Sequence, residues 1–180
     1  MVKNIRVFEN KVPIVANSVY VDETAVIIGD VTIKEDASIW PMVVIRGDIN
    51  KIHIEKRTSI QDGTIIHVNH IGPFNPTGNA VHIGHDVTVG HKAVLHGCRI
   101  ADFCLIGMGS IVMDDVVIER EVILGANSLA PPGKILDGGY LWVGSPAKKI
   151  RALTDREKEF LRYSAAYYVE LGKRHKKAVE

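Results

Sequence analysis

Aliphatic residues recur every six positions along most of this chain: Val15, Val21, Ile27, Ile33, Ile39 and Ile45, then Ile54, Ile60 and Ile66, then Ile83, Val89 and Leu95, and finally Ile100, Ile106, Val112, Ile118, Leu124 and Ala130. Small or β-branched side chains stand four positions after most of them. A period of six suits neither an amphipathic helix nor a simple hairpin strand. It suits a solenoid in which each hexapeptide is one short strand and one corner, so that three hexapeptides close a triangular coil. Coils then stack at the strand spacing of ~4.8 Å. Each large aliphatic pointing into the prism contributes roughly 1.5–3 kcal/mol of burial, so stability is spread along the stack. The period predicts an all-β solenoid, a parallel β-helix of hexapeptide repeats, over residues 1–153.

The segment after Ser145-Pro146-Ala147 obeys a different rule. Thr154 and Glu157 form a capping box, and Phe160, Leu161, Ser164, Tyr167, Tyr168 and Leu171 fall on one helical face. This predicts an amphipathic C-terminal α-helix over about 155–174 within a segment 154–180, docked on the β-helix or on a neighbouring subunit. Its Lys/Arg-rich end suits a helix carboxyl terminus.

With 180 residues, 46% of them apolar, the chain suffices for one main body. Its 22 basic and 21 acidic residues give a net charge of only +1, which argues against nucleic-acid and membrane-surface binding and for small-molecule partners. The amino-terminal MVKNIRVFENKVP has no apolar signal core, and no run approaches the ~18 apolar residues of a membrane span, so a cytoplasmic location is expected. Cys98 and Cys104 are too few for a disulfide framework and are read as packing thiols.

The histidines gain meaning from the register of the coils. Residues 69–80, NHIGPFNPTGNA, break the period and read as an excursion from one corner. If that loop and three extra residues between Ile45 and Ile54 are corner insertions, Ile45, Ile66 and Leu95 stack on one face. Each is followed by a polar residue, so Arg46, His67 and His96 form an outward ladder. By the same register Gln61 and Asp62 lie one coil below Gly90 and His91 on another face. Three neutral imidazoles with an open fourth position make a catalytic zinc site, at Zn–N distances of ~2.0–2.1 Å. Two are in place on one face; the third, His91, can come from another subunit, and a threefold rotation closes that contact into a homotrimer with a site at each interface. Asn69, His70, His82 and His85 read as solvated surface groups.

The segments VVIRGD (43–48), SIQDGTIIH (59–67), IGHDVTVGHKAVLHGC (83–98), IGMGSIV (106–112) and VGSPAKKIR (143–151) resemble the γ-class carbonic anhydrase-like family over nearly the whole chain. The resemblance implies that the β-helix is left-handed. It also implies that His67 and His96 of one subunit and His91 of its neighbour bind Zn2+, with Fe2+ or Co2+ able to fill the same nitrogen site. In such a family a metal-bound hydroxide attacks carbon dioxide and bicarbonate leaves. Gln61 then lies near the metal-bound solvent, and Arg46 and Asp48 join an intersubunit ion-pair network with Asp62. The chain departs from the archetype in one respect: Ile49 follows Asp48, and the 69–80 loop holds no carboxylate to shuttle protons. His70 or Tyr168 is the substitute group. The rival functions are a coenzyme A-dependent acyltransferase or thioesterase, and a non-catalytic metal-bearing scaffold.

Overall fold

A computed structural model describes residues 4–179; the first three residues of the expected β-helix segment and the last residue of the helical one lie outside it. Short parallel strands stack in three columns whose inward residues are those of the six-residue repeat. One column runs Ile27, Ile45, Ile66, Leu95, Val112, Ala130. A second runs Val15, Ile33, Ile54, Ile83, Ile100, Ile118, Leu136. The third runs Val21, Ile39, Ile60, Val89, Ile106, Leu124, Trp142. The chain is a left-handed parallel β-helix with one C-terminal helix.

Nearly all of these inward side chains are sealed from solvent, and the smaller residues two positions before them, such as Ala37, Val43, Val87, Ala93 and Cys98, fill the corners of the triangle. The corners share a backbone device. The residue three positions before the inward aliphatic takes a positive φ at Asp36, Met42, Arg57, Gly63, Asp86, Lys92, Gly97, Phe103, Gly109, Asp115, Glu121 and Asn127. Most of these are not glycine, so stacking of each corner on its neighbours holds bulky residues in the left-handed region against their local preference.

The three extra residues between Ile45 and Ile54 enter at one corner. Val44–Ile54 is a continuous strand paired with Val26–Ile33, and the register slips between Gly29 and Val31 as Gly47 gives way to Ile52. Gly29 (φ +78°) and Gly47 stack there so closely that a Cβ on either would strike the backbone of the other coil. Asp48 lies in this insertion.

The helix spans Asp155–Val179, five residues beyond its expected end. Its capping box is present: the Thr154 amide and hydroxyl donate to Glu157 Oε2 at 2.8 and 2.9 Å, and the Glu157 amide donates to Thr154 Oγ1 at 3.2 Å. The basic end is tied down as Lys176 bonds the Asn17 carbonyl and His175 packs edge-on to Trp40, ring centroids 5.0 Å apart. The buried face holds the expected Leu161 and Ser164, with Tyr168 and Leu171 half-buried, and departs from the expected one at Phe160 and Tyr167. Leu161, Ser164, Ala165 and Gly172 are buried, whereas Phe160 and Tyr167 are exposed. Small residues let the helix settle near the sheet, with the Gly172 backbone close over Tyr20 and Ser38, which turns the larger aromatics out to the flank.

Candidate metal centre

Strand register brings Arg46, His67 and His96 into one outward ladder, with Arg46 paired to His67 and His67 to His96. His67 and His96 meet edge to edge: Nδ1 of His67 lies 3.1 Å from Nε2 of His96. The far nitrogen of each ring is held by a carboxylate. His67 Nε2 donates to Asp48 Oδ1 at 3.1 Å, and His96 Nδ1 donates to Asp114 Oδ1 at 2.6 Å. Asp48 is in turn gripped through its other oxygen by Arg46.

The protonation states follow from these partners. Burial alone would raise the Asp48 carboxyl, but hydrogen bonds from Arg46 and His67 and the Arg46 charge outweigh it and hold the group below the usual carboxylate range. Burial, aided by Arg46 and His96, holds His67 below the ordinary imidazole value although Asp48 opposes it. A neutral ring that donates outward to a carboxylate keeps its inward nitrogen bare. The inward Nδ1 of His67 is thus free of a proton and faces Nε2 of His96 across 3.1 Å, so that the two rings converge on one point. Two nitrogens ~2.0–2.1 Å from a tetrahedral ion are roughly 3.3 Å apart, so the donor pair fits a zinc-sized ion, and the outward carboxylates are the usual supports of metal-binding imidazoles.

His91 sits on another face and does not join this pair. Its Nδ1 faces Asp62 Oδ2 at 2.9 Å, with both side chains nearly half exposed. Among the described residues of one protomer, no three His, Cys, Asp or Glu side chains are arranged to hold a metal. Gln61, Asp62, His91 and Tyr168 instead line a common hollow of 330 Å³ with Tyr20, Trp40 and His175, beneath the C-terminal helix. Gln61 is buried at 4% exposure, and the Tyr168 ring packs edge-on to Trp40 at 6.1 Å. The expected site residues thus form two groups: Arg46, Asp48, His67 and His96 on one face, and Gln61, Asp62, His91 and Tyr168 on another. Within one chain Arg46 bonds Asp48 while Asp62 bonds His91.

Asp114 escaped the sequence reading. It stands at the corner two residues past Val112, in the coil next to His96 where the strands pair 17 residues apart, and no local spacing marks it. His85 is no free surface group either: its Nδ1 faces Asp86 at 2.5 Å and its Nε2 faces Asp102 at 3.1 Å. His82 stacks on His53 with centroids 5.3 Å apart. Cys98 and Cys104 are buried free thiols whose burial pushes their pKa up to about 12, so neither is a nucleophile near neutral pH.

No protein-family model matches the chain. Among individual proteins, it is 50% identical to protein YrdA of Escherichia coli over 166 residues, covering 92% of this chain and 90% of that one. It is 41% identical over 169 residues to the mitochondrial gamma carbonic anhydrase 2 of Arabidopsis thaliana, covering 92% of this chain and 59% of that longer protein. A solved hexapeptide transferase family protein of Anaplasma phagocytophilum superposes with a TM-score of 0.89 at 38% identity, covering 96% of this chain and 98% of that one. By these similarities and by its stacked six-residue repeats, the chain belongs to the γ-carbonic anhydrase-like family of hexapeptide-repeat proteins.

Proposed function

We infer that this protein hydrates carbon dioxide reversibly to bicarbonate at a zinc centre shared between protomers, with His67 and His96 from one protomer and His91 from the next. The observation that carries this reading is the pair of converging imidazole nitrogens 3.1 Å apart, each ring anchored from behind by a carboxylate. Zinc bound there would supply, near neutral pH, a water activated for attack on carbon dioxide. The protein's own contribution is placement. Asp48 and Asp114 fix the tautomers of His67 and His96, Asp62 lies against the His91 ring, and Arg46 keeps Asp48 ionised so that it goes on accepting from His67. Gln61, buried beside His91, is positioned to orient a water or substrate oxygen by hydrogen bonding. Tyr168, which lines the same hollow as His91 and Gln61, is the residue we assign to pass the released proton toward solvent.

A threefold assembly is supported by the surface beside the ladder. Val26, Val44, Ile65, Val94, Ile111 and Leu129 stack in an outward aliphatic column on the histidine face. Ile65 and Ile111 remain 46% and 42% exposed in the protomer, whereas the helix covers the face that bears Thr88 and Ser59. A neighbour laid on this column would bury apolar area and bring a second face to the histidine pair. The buried, unpaired thiols agree with a reducing cytoplasm.

Likeness to a hexapeptide transferase family protein keeps acyl transfer as the second reading. Stopped-flow carbon dioxide hydration on zinc-reconstituted protein, alongside His91→Ala, separates the two. Hydration above background that disappears with the metal in His91→Ala supports the proposal. Bound zinc with hydration at background points to a scaffold, and chelator-insensitive acyl transfer points to a transferase.

A further inference from the structure

Each histidine of the pair has a supporting carboxylate, and each of those carboxylates has a second oxygen to be held. For Asp48 the holder is Arg46. For Asp114 it is Asn69, whose Nδ2 donates to Asp114 Oδ2 at 3.4 Å while His96 donates to Oδ1 at 2.6 Å. We propose that Asn69, at the stem of the 69–80 excursion, is a positioning residue of the metal centre that orients His96 through Asp114.

Asn69 is itself pinned from several sides. Its backbone pairs with Asn79 in both directions, at 2.9 and 3.1 Å, and its carbonyl accepts from Asn50 Nδ2 at 3.0 Å. Its side-chain oxygen accepts the His70 amide at 2.9 Å, which fixes the orientation of the carboxamide and leaves Nδ2 as the atom facing Asp114. Asn79, the other stem residue, donates through its own side chain to Asp115, next along the chain. The stem therefore clamps Asp114 and Asp115 together at the corner beneath the centre.

The choice of a neutral holder has a chemical consequence. Arg46 brings a full positive charge to Asp48, whereas Asn69 orients Asp114 without neutralising it. Asp114 remains a strong acceptor for the His96 proton, which makes the inward nitrogen of His96 the more electron-rich of the pair. Asn69 reaches this place because residues 67 and 69 share one side of the extended chain, two positions apart.

This inference rests on the zinc reading, and its test has one arm that does not. Asn69→Asp keeps the acceptor for the His70 amide and is nearly isosteric, yet removes the donor to Asp114; Asn69→Ala removes both. In the full-length protein, zinc affinity measured by competition with a chromophoric chelator is expected to fall about tenfold in each variant, at the lower edge of the range for groups supporting metal ligands. In the metal-free protein, 15N imidazole shifts of His96 are expected to move from a single Nδ1–H tautomer toward a mixture, while those of His67 stay fixed. Unchanged affinity together with an unchanged His96 tautomer overturns the proposal. Should the parent protein bind no zinc, the zinc reading falls by itself, and the His96 tautomer alone then decides for or against Asn69.

Discussion

Dividing a site between protomers has an arithmetic consequence that no single-chain site can imitate. Let His91→Ala and His67→Ala proteins each be purified, shown to assemble as trimers and found empty of zinc. When the two are unfolded together in equal amounts and refolded, protomers distribute at random. An interface is intact only if the protomer offering the His67/His96 face is the His91→Ala chain and the one offering His91 is the His67→Ala chain. Each choice has even odds, so about one quarter of all interfaces recover a full ligand set. Zinc content should rise from near zero to about 0.75 per trimer, and carbon dioxide hydration to about one quarter of the parent value. The matched control mixes His67→Ala with His96→Ala. Both lesions lie on one face, paired strand to strand, so no arrangement restores a site and no recovery is expected. Recovery equal in both mixtures, or absent from the first while trimers form normally, would refute the division of ligands.

Three further outcomes test the fold beneath the site. Ile66 is fully buried between Ile45 and Leu95 in a column whose strands cannot close up, so Ile66→Ala should cost about 2–5 kcal/mol in denaturant unfolding, and a loss below about 1 kcal/mol would contradict the packing. Arg57 forks onto Asp86 at 2.8 and 2.6 Å; burial pushes the Asp86 carboxyl up, but Arg57 and His85 prevail and hold it below the ordinary value. That contribution is fully present above the usual carboxylate range and is lost as pH falls through the lowered value, so Arg57→Ala should flatten the loss of stability below about pH 4 in urea titrations. Gly97 has φ +53°, and a Cβ there would overlap Asp114 Oδ1 and crowd Asn79; Gly97→Ala should therefore lower zinc content as well as the unfolding midpoint, by metal analysis and thermal melting.

The sequence showed the solenoid because burial imposes a strict period: an inward position every six residues must be apolar, and Ile45, Ile66 and Leu95 obey it. From that register the His67/His96 pair could be placed by counting. The capping box at Thr154 likewise announces itself within four residues. Other features depend on contacts between coils, which no local pattern records. Met42, Arg57 and Lys92 carry no sign of a left-handed backbone, because neighbouring corners and not their own propensity hold them there. Phe160 and Tyr167 were expected to be buried by helical spacing, but the close seat of Gly172 on the sheet decides which edge turns inward. Asp114 and Asn69 lie 18 and 27 residues from His96 along the chain and come to it only through stacking.

The 69–80 excursion leaves and rejoins the prism at two residues hydrogen-bonded to one another, Asn69 and Asn79. It is therefore a closed appendage, and the phase of the columns is indifferent to what lies between its ends. Lengthening, shortening or replacing residues 71–77 leaves every coil where it was, so novelty at this margin can accumulate without any penalty in the core. A catalogue of exchanged tips on one unchanging shaft is the kind of variation such an architecture invites, provided the two asparagines at its base are kept.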